Sequence, residues 1–185
     1  MKDKVFKESE ERMKQSVEKT QHEFNTIRTG RATVALLDEI FIDYYGSKTP
    51  IKHVANISIP EARTMVIAPY EPKFLKEVEK QILASDLGIT PNNDGKAVRL
   101  SIPPLNEERR KELVKLVKKI AEEGRVSVRN IRRDLNDQLK KMETDGDITE
   151  DDHIRMQKDV QDLTDKYIEK INEALSNKEK EIMEV

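Results

Sequence analysis

Apolar side chains recur at helical spacing near both ends of the chain and follow a different rhythm between them. In residues 2–29 they stand seven, four, seven and three positions apart: Phe6, Met13, Val17, Phe24 and Ile27. Two longer stretches, about 107–143 and from about 150 to near the C-terminus, have the same period. This spacing is typical of helices that each bury one narrow stripe, so it predicts three long helices packed as an elongated bundle.

The two later helices have predicted starts and a defined buried side. Asn106, followed by two glutamates, can cap the first of them, and Thr149-Glu150-Asp151-Asp152 resembles a capping box at the start of the next. Gly124 lies in mid-helix, which indicates close approach either of another helix of the bundle or of a bound macromolecule. The predicted apolar seams are Leu113, Val117, Ile120, Gly124, Ile131, Leu135 and Met142, and then Met156, Val160, Leu163, Tyr167, Ile171, Leu175 and Ile182.

The middle of the chain has a different composition, because all seven prolines fall there and alternating apolar runs replace the helical period. One short helix is predicted from Phe74 until Gly88, and residues 91–95 are predicted to form a turn. Alternation of apolar and polar residues is typical of half-buried strands. The predicted strands are 40–45, 54–59, 64–68 and 97–102.

These periods together predict an α+β fold, in which a small β/α/β domain is inserted into the three-helix bundle. The bundle comprises residues 1–30 and 105–185, and the inserted domain comprises residues 31–104. The chain passes between them twice, and the two crossings form either a hinge or a fixed corner. The crossing residues are Gly30, Arg31, Pro103, Pro104 and Leu105.

The composition narrows the classes of function. The 185 residues are 36% hydrophobic and 38% charged, which favours long, narrow elements over a large core. The absence of cysteine excludes disulfides, thiolate metal sites and cysteine nucleophiles. No apolar run reaches the roughly 18 residues of a membrane helix, and the N-terminus resembles neither a signal nor a transit peptide. We therefore expect a soluble, cytoplasmic protein with no membrane partner.

The net charge of −2 conceals an uneven distribution of charge. Residues 107–141 carry twelve basic and seven acidic side chains, whereas residues 142–185 carry six basic and fourteen acidic ones. At about 100° per residue, several of the basic side chains fall within one arc about 100° wide, beside the apolar seam, where only Glu122 intervenes. They are Lys111, Lys115, Lys118, Arg125, Arg129, Arg132 and Arg133.

This basic arc indicates a surface for folded RNA or for a DNA backbone, because guanidinium groups match the geometry of phosphate oxygens. No aromatic residue interleaves the arc, which argues against recognition of single strands by base stacking. For the lysines, pairing with carboxylates of the acidic last helix is the simpler explanation. For the arginines that explanation is weaker, since Glu123 and Asp134, the nearest acids, point away from the arc.

Residues suited to catalysis or metal binding form no recognisable pattern. His22, His53 and His153 fall in different predicted elements, without the spacing of a metal site. Residues 145–150 begin like a calcium loop but then lack its glycine and its bidentate glutamate, so we interpret them as a turn between helices. The sequence contains no phosphate-binding glycine loop, dinucleotide fingerprint or nucleophile elbow. We therefore expect no enzyme activity, no cofactor and no metal.

Six strings along the chain match those of one protein family. They are RTGRA at 28–32, LLD at 36–38, ASDLG at 84–88, PN at 91–92, IPPLNEERRKEL at 102–113 and RVSVRNIRRD at 125–134. Through these strings the whole chain resembles the ribosome recycling factor family. Two departures stand out: Asn106 replaces a common threonine, which also caps helices, and Val34 replaces a frequent proline, which leaves φ freer at the first crossing.

The resemblance implies a roughly L-shaped protein, similar in outline to transfer RNA, that binds the ribosome after termination. It implies separation of the ribosomal subunits together with elongation factor G, which hydrolyses GTP and pushes the inserted domain. The implied partners are elongation factor G and large-subunit ribosomal RNA at the subunit interface, and we expect a monomer that is not an enzyme. The implied RNA-binding residues are Arg28, Arg31, Arg110, Arg129, Arg132 and Arg133, and the implied pivots are the two crossings.

Other classes of function fit only parts of the sequence. A helical chaperone or scaffold would need an exposed apolar groove, whereas the three predicted seams use up the apolar positions of the helices. An enzyme lacks a candidate constellation of residues, and DNA binding is supported by charge alone.

Overall fold

The computed structural model describes residues 2–184, which form four α-helices and six β-strands. The helices are α1 (Lys2–Asn25), α2 (Leu75–Ala84), α3 (Glu107–Thr144) and α4 (Glu150–Met183). Helices α1, α3 and α4 pack together as one compact unit, and residues Thr29–Leu105 form a second unit. The predicted α+β fold, a three-helix bundle interrupted by an inserted segment of strands and one helix, is confirmed.

Helix α1 ends at Asn25, four residues before the predicted position. The amide of Ile27 donates to the Phe24 carbonyl at 3.1 Å, which is a tighter turn than that of an α-helix. The Thr26 hydroxyl donates to the Glu23 carbonyl at 2.7 Å, so a side chain takes up an acceptor of the last turn. Local hydrogen bonding by a threonine therefore accompanies the end of the helix, and apolar spacing does not register it.

Both long helices of the second half begin at the predicted caps. The side-chain oxygen of Asn106 accepts a hydrogen bond from the Arg109 amide at 2.7 Å, and the Thr149 hydroxyl accepts one from the Asp152 amide at 3.1 Å. Between these helices Gly146 adopts φ +81°, the left-handed conformation that commonly follows a helix end. The segment that begins like a calcium loop is thus a turn between helices, as predicted.

The buried side of α3 is wider than the predicted seam. Ala121, Val128 and Leu139 are fully buried although the seam omits them, and Ile120 is only half-buried. Helix α3 contacts both α1 and α4, and a helix between two partners buries a broader stripe than one that faces a single partner. Burial also extends to Thr164 of α4, a polar residue outside the predicted seam.

Gly124 packs directly against Thr20 of α1. A Cβ atom on Gly124 would lie 2.3 Å from Thr20 Oγ1 and 3.3 Å from Ile171 Cδ1. The Thr20 hydroxyl donates to the Ser16 carbonyl at 2.9 Å, which holds Oγ1 in place. Close packing inside the bundle therefore accounts for this glycine.

The inserted segment contains two antiparallel sheets. Strands β1 (Phe41–Tyr44) and β2 (Ser47–Pro50) form a hairpin, and the other four pair in the order β3-β4-β6-β5. Those four strands are β3 (Ala55–Glu61), β4 (Thr64–Pro69), β5 (Asn92–Asn93) and β6 (Val98–Ser101). Strands β2 and β5 were not predicted, because both are short and polar and exist through pairing with β1 and β6.

The inserted segment also has its own apolar core. Helix α2 buries Leu75, Val78 and Ile82 against the strands and ends at Ala84 instead of the predicted Gly88. All members of this core lie within the second unit, so the unit is held by its own residues. Outside α2, the most completely buried side chains of this core are Leu37, Ile42, Ile51, Met65, Ile67, Val98 and Leu100.

The two chain crossings lie side by side within the second unit. Gly30 adopts φ +78°, which favours glycine, and a Cβ atom there would lie 3.3 Å from Leu105 Cγ and 3.6 Å from the Pro103 carbonyl oxygen. Pro103 and Pro104 are exposed, and Arg31 is half-buried. A glycine is therefore needed at this point for both conformation and space.

Candidate nucleic-acid interface

Four arginines of α3 lie on an arc that borders its packed side. Arg125 and Arg129 expose 19% and 43% of their side chains, Arg132 is half-buried and Arg133 is exposed. All four fall on one arc of a straight helix, as the sequence predicted, and we call Arg125, Arg129, Arg132 and Arg133 the arginine face. They bring four guanidinium groups onto about two turns of helix.

Glu122 joins two members of the arginine face. Its Oε2 accepts from Arg125 Nε at 2.9 Å, and its Oε1 accepts from Arg129 Nη1 at 3.1 Å. The hydrogen bond from Arg125, followed by that from Arg129, holds the pKa of the Glu122 carboxyl below its usual value, so this group is charged at neutral pH. One carboxylate therefore bridges two arginines on the same helix.

Where the arginine face borders α4, the neighbouring helix offers amides. Arg125 Nη1 donates to Asn172 Oδ1 at 2.9 Å, and Arg132 Nη1 donates to Gln161 Oε1 at 3.4 Å. A neutral amide orients a guanidinium without cancelling its charge. Sequence reasoning missed both amides, and the only available signal was their spacing of eleven residues, three turns on one side of a helix.

Of the two acids that were predicted to point away from the arc, Asp134 contacts α1. Asp134 pairs with Arg12 of α1 at 3.0 Å, on the opposite side of α3 from the arginine face. Ser127, also on that side, hydrogen-bonds Ser16 at 2.8 Å. Contacts with α1 thus use a separate set of polar residues.

The lysines of the predicted arc do not pair with the acidic last helix. Lys111 pairs with Glu107 of its own helix at 3.1 Å, and both side chains are largely exposed. Lys115 and Lys118 are exposed and form no ion pair with α4 within residues 2–184. The interpretation that α4 neutralises these lysines is therefore wrong.

The remaining implied RNA-binding residues are not members of the arginine face. Arg110 lies half-buried at the start of α3, about 28 Å along the helix from Arg129 at 1.5 Å per residue, and its Nε is buried. Arg28 is exposed beyond the end of α1, and Arg31 belongs to the second unit. Arg129, Arg132 and Arg133 therefore share the arginine face, whereas Arg110 lies at another level of the same helix.

The described residues offer neither a metal site nor a membrane span. Among residues 2–184 no three His, Cys, Asp or Glu side chains are grouped so as to hold a metal ion. The buried His153 contacts Glu143 through Nδ1, a pairing between the end of α3 and the start of α4. None of the helices in this range is long and apolar enough to cross a membrane.

These features define a two-unit protein whose bundle carries one arginine-rich face. Residues 20–183 match the family model described as ribosome recycling factor, and the chain belongs to that family. It is 58% identical over 176 residues to the ribosome-recycling factor of Thermosynechococcus vestitus, covering 95% of this chain and 97% of the relative. It is 52% identical to that of Bacillus licheniformis over the full length of both chains. Ribosome recycling factors are translation factors.

Solved structures of ribosome recycling factors also match this chain. A solution structure of the ribosome recycling factor superposes with a TM-score of 0.78 at 44% identity, covering 99% of this chain and 97% of that one. A second relative, the T. thermophilus ribosome recycling factor, aligns with a TM-score of 0.67 at 41% identity and 98% coverage of each chain. That protein is described together with E. coli elongation factor G as bound to the E. coli post-termination complex.

Proposed function

We propose that the protein binds the post-termination ribosome and, with elongation factor G and GTP, separates it into subunits for a new round of protein synthesis. Membership of the ribosome recycling factor family is the observation that carries this proposal. The bound state described for the T. thermophilus relative supports it. In this proposal the protein acts in the cytoplasm as a monomer, holds no cofactor, and leaves GTP hydrolysis to the elongation factor.

Light scattering from purified post-termination ribosomes tests the proposal directly. We expect scattering to fall when this protein, elongation factor G from a matched species and GTP are all present. Omitting any one of them should abolish the fall. Unchanged scattering with a GTPase shown to be active would overturn the proposed function.

The arginines are proposed to anchor the bundle to large-subunit ribosomal RNA. The proposed contacts are Arg129, Arg132 and Arg133, with Arg110, Arg28 and Arg31 as further contacts. Their support is the exposed arginine face, which no aromatic residue interleaves and which faces amides instead of carboxylates on α4. Such a face suits phosphates of folded RNA, where guanidinium groups form paired hydrogen bonds.

Salt dependence distinguishes this anchoring from an apolar docking mode. If the protein contacts six to ten phosphates, its affinity for the ribosome should fall about 10³–10⁵-fold between 50 and 200 mM salt. Arg132→Ala should weaken binding and reduce the slope of the salt dependence while leaving the fold intact, as measured by circular dichroism. A flat salt response, or binding unchanged by Arg132→Ala, would contradict the anchoring.

We further propose that the inserted segment swings about the crossings at Gly30, Arg31, Pro103, Pro104 and Leu105. The local fit of Gly30 against Leu105 supports a small, defined pivot. Because the chain has no cysteine, Asn177→Cys in α4 and Ser47→Cys in β2 provide unique sites for a fluorescent pair. Transfer efficiency should change when elongation factor G and GTP join the ribosome complex, and a constant value would establish a fixed corner.

A further inference from the structure

Glu122 occupies an unusual place, because it is an acid within a face that otherwise presents cations. The carboxylate accepts hydrogen bonds from Arg125 Nε at 2.9 Å and from Arg129 Nη1 at 3.1 Å, and Arg125 Nη2 lies 2.9 Å from Oε2 in the same ion pair. Half of its side chain, 52%, remains exposed. It is therefore held by two arginines while still lying at the surface where a polyanion would bind.

The two arginines differ in how many donors this arrangement uses. Arg125 directs Nε and Nη2 to Glu122 and Nη1 to Asn172, so its guanidinium is fixed from two sides. Arg129 directs only Nη1 to Glu122 and exposes 43% of its side chain. A guanidinium has five N–H donors, so Arg129 keeps most of its donors for a ligand while its direction is set.

We propose that Glu122 is a positioning residue that determines the specificity of the arginine face for folded ribosomal RNA. It orients Arg129, and through Arg125 it ties that orientation to α4. Its negative charge also opposes binding of any polyanion that does not match the resulting geometry. This inference rests on the proposed function and deepens it, since it concerns how the same surface selects its ligand.

Two physical effects of removing Glu122 oppose each other. Without the carboxylate, the long arginine side chains must be ordered during binding, which lowers the affinity of a geometrically matched ligand about 2- to 10-fold. A flexible polyanion makes no such demand on geometry and gains from the lost negative charge. Loss of Glu122 should therefore weaken binding to the ribosome and strengthen binding to an arbitrary strand.

The experiment compares Glu122→Ala with Glu123→Ala, which changes the net charge equally at the next position. Glu123 is exposed and makes no hydrogen bond or ion pair within residues 2–184, on a side of α3 that points away from the arginine face. For each protein the affinity is measured for vacant ribosomes and for poly(U) at one salt concentration. Glu122→Gln, which retains one acceptor oxygen, serves as a second variant of the same shape.

We expect Glu122→Ala to lower ribosome affinity about 2- to 10-fold and to raise poly(U) affinity, with Glu122→Gln between it and the unaltered protein. Glu123→Ala should leave the ratio of the two affinities unchanged. If Glu122→Ala and Glu123→Ala shift that ratio equally, or if Glu122→Ala strengthens both kinds of binding alike, the inference is wrong. Arg132→Ala distinguishes failure of this inference from failure of the proposed anchoring. If Arg132→Ala weakens ribosome binding, a negative result for Glu122→Ala overturns only the inference. If Arg132→Ala has no effect on ribosome binding, both the anchoring and the inference are overturned.

Discussion

Helices α3 and α4 lie along each other but use their polar residues in opposite ways. The buried residues of α3 are apolar side chains and one glycine, and its cations lie outside. Helix α4 buries His153, Thr164 and Lys178 together with Tyr167, and carries most of its carboxylates outside. No charged residue is thus among the buried residues of α3, whereas α4 places polar groups in the interior.

Each buried polar residue of α4 has a partner within the bundle, although His153 Nε2 itself has none among residues 2–184. The Tyr167 hydroxyl donates to Glu10 of α1 at 2.9 Å, Lys178 pairs with Glu181 at 3.3 Å, and His153 contacts Glu143. Buried polar groups cost stability unless they are hydrogen-bonded, and these partners offset that cost. The Tyr167 and His153 contacts link α4 to α1 and to α3, whereas the Lys178 pair lies within α4. The difference teaches that substitutions on the polar side of α3 should change binding, whereas those in α4 should change stability.

The largest expected effect is a reversal of charge on α3. Arg129→Glu combined with Arg132→Glu should weaken ribosome binding by about 100-fold or more, because it removes two charge-assisted hydrogen bonds and introduces repulsion. Lys158→Glu with Lys180→Glu makes the same change in net charge on exposed positions of α4. Affinity measured by sedimentation with ribosomes should distinguish the pairs, and equal losses would remove the functional contrast between the helices.

A change on the packed side of α3 should act on stability instead. Gly124→Ala places a methyl group against Thr20 Oγ1, and overpacking minus the gain in helix propensity leaves a net cost of about 1 kcal/mol. In a Thr20→Ala background the same substitution should become neutral or stabilising. Denaturant unfolding of the four proteins measures this coupling, and additive effects would show that Gly124 is not constrained by Thr20.

Much of the fold could be predicted from the sequence, because the period of the apolar residues and the capping residues both indicate the long helices. The apolar period located α3 and α4 to within a residue or two, and Asn106 and Thr149 marked their starts. Strand β5 could not be predicted, since two asparagines form a strand only through pairing with Val98 and Arg99. The end of α1 depends on a threonine side-chain hydrogen bond that no periodic pattern contains.

The candidate site was predicted in part for the same reason. The arc of arginines follows from 100° per residue within one helix, so Arg129, Arg132 and Arg133 were found. The contacts of Arg125 and Arg132 with Asn172 and Gln161 depend on the axial register between α3 and α4, which neither helix encodes alone. The sequence places Glu122 within the basic arc. Its bridge between Arg125 and Arg129 could not be predicted, because it depends on the side-chain rotamers of all three residues.

Inside α4, Tyr167 should give stability a dependence on alkaline pH. Burial, followed by the hydrogen bond to Glu10, raises the pKa of Tyr167 to about 12. The folded state therefore holds the proton more tightly than the unfolded state, so stability should fall as pH rises from about 10 to about 12. Tyr167→Phe should cost about 1 kcal/mol at neutral pH and remove this dependence. Tyr70→Phe, at a residue 69% exposed, is the control in unfolding measured at pH 9 and 11.

The smallest effect should come from the contact between the ends of the two helices, at Glu143. Its hydrogen bond with His153 is the main reason that the pKa of Glu143 lies below its usual value. Since the folded pKa is depressed, the stabilisation is present above the unfolded pKa, about 4.3, and is lost as pH falls through the folded value. Glu143→Gln should therefore be less stable than the unaltered protein at pH 6, and the difference should narrow as pH falls below about 4.3. Thermal unfolding across this range measures the difference, and a gap independent of pH would show that the carboxylate charge does not link α3 to α4.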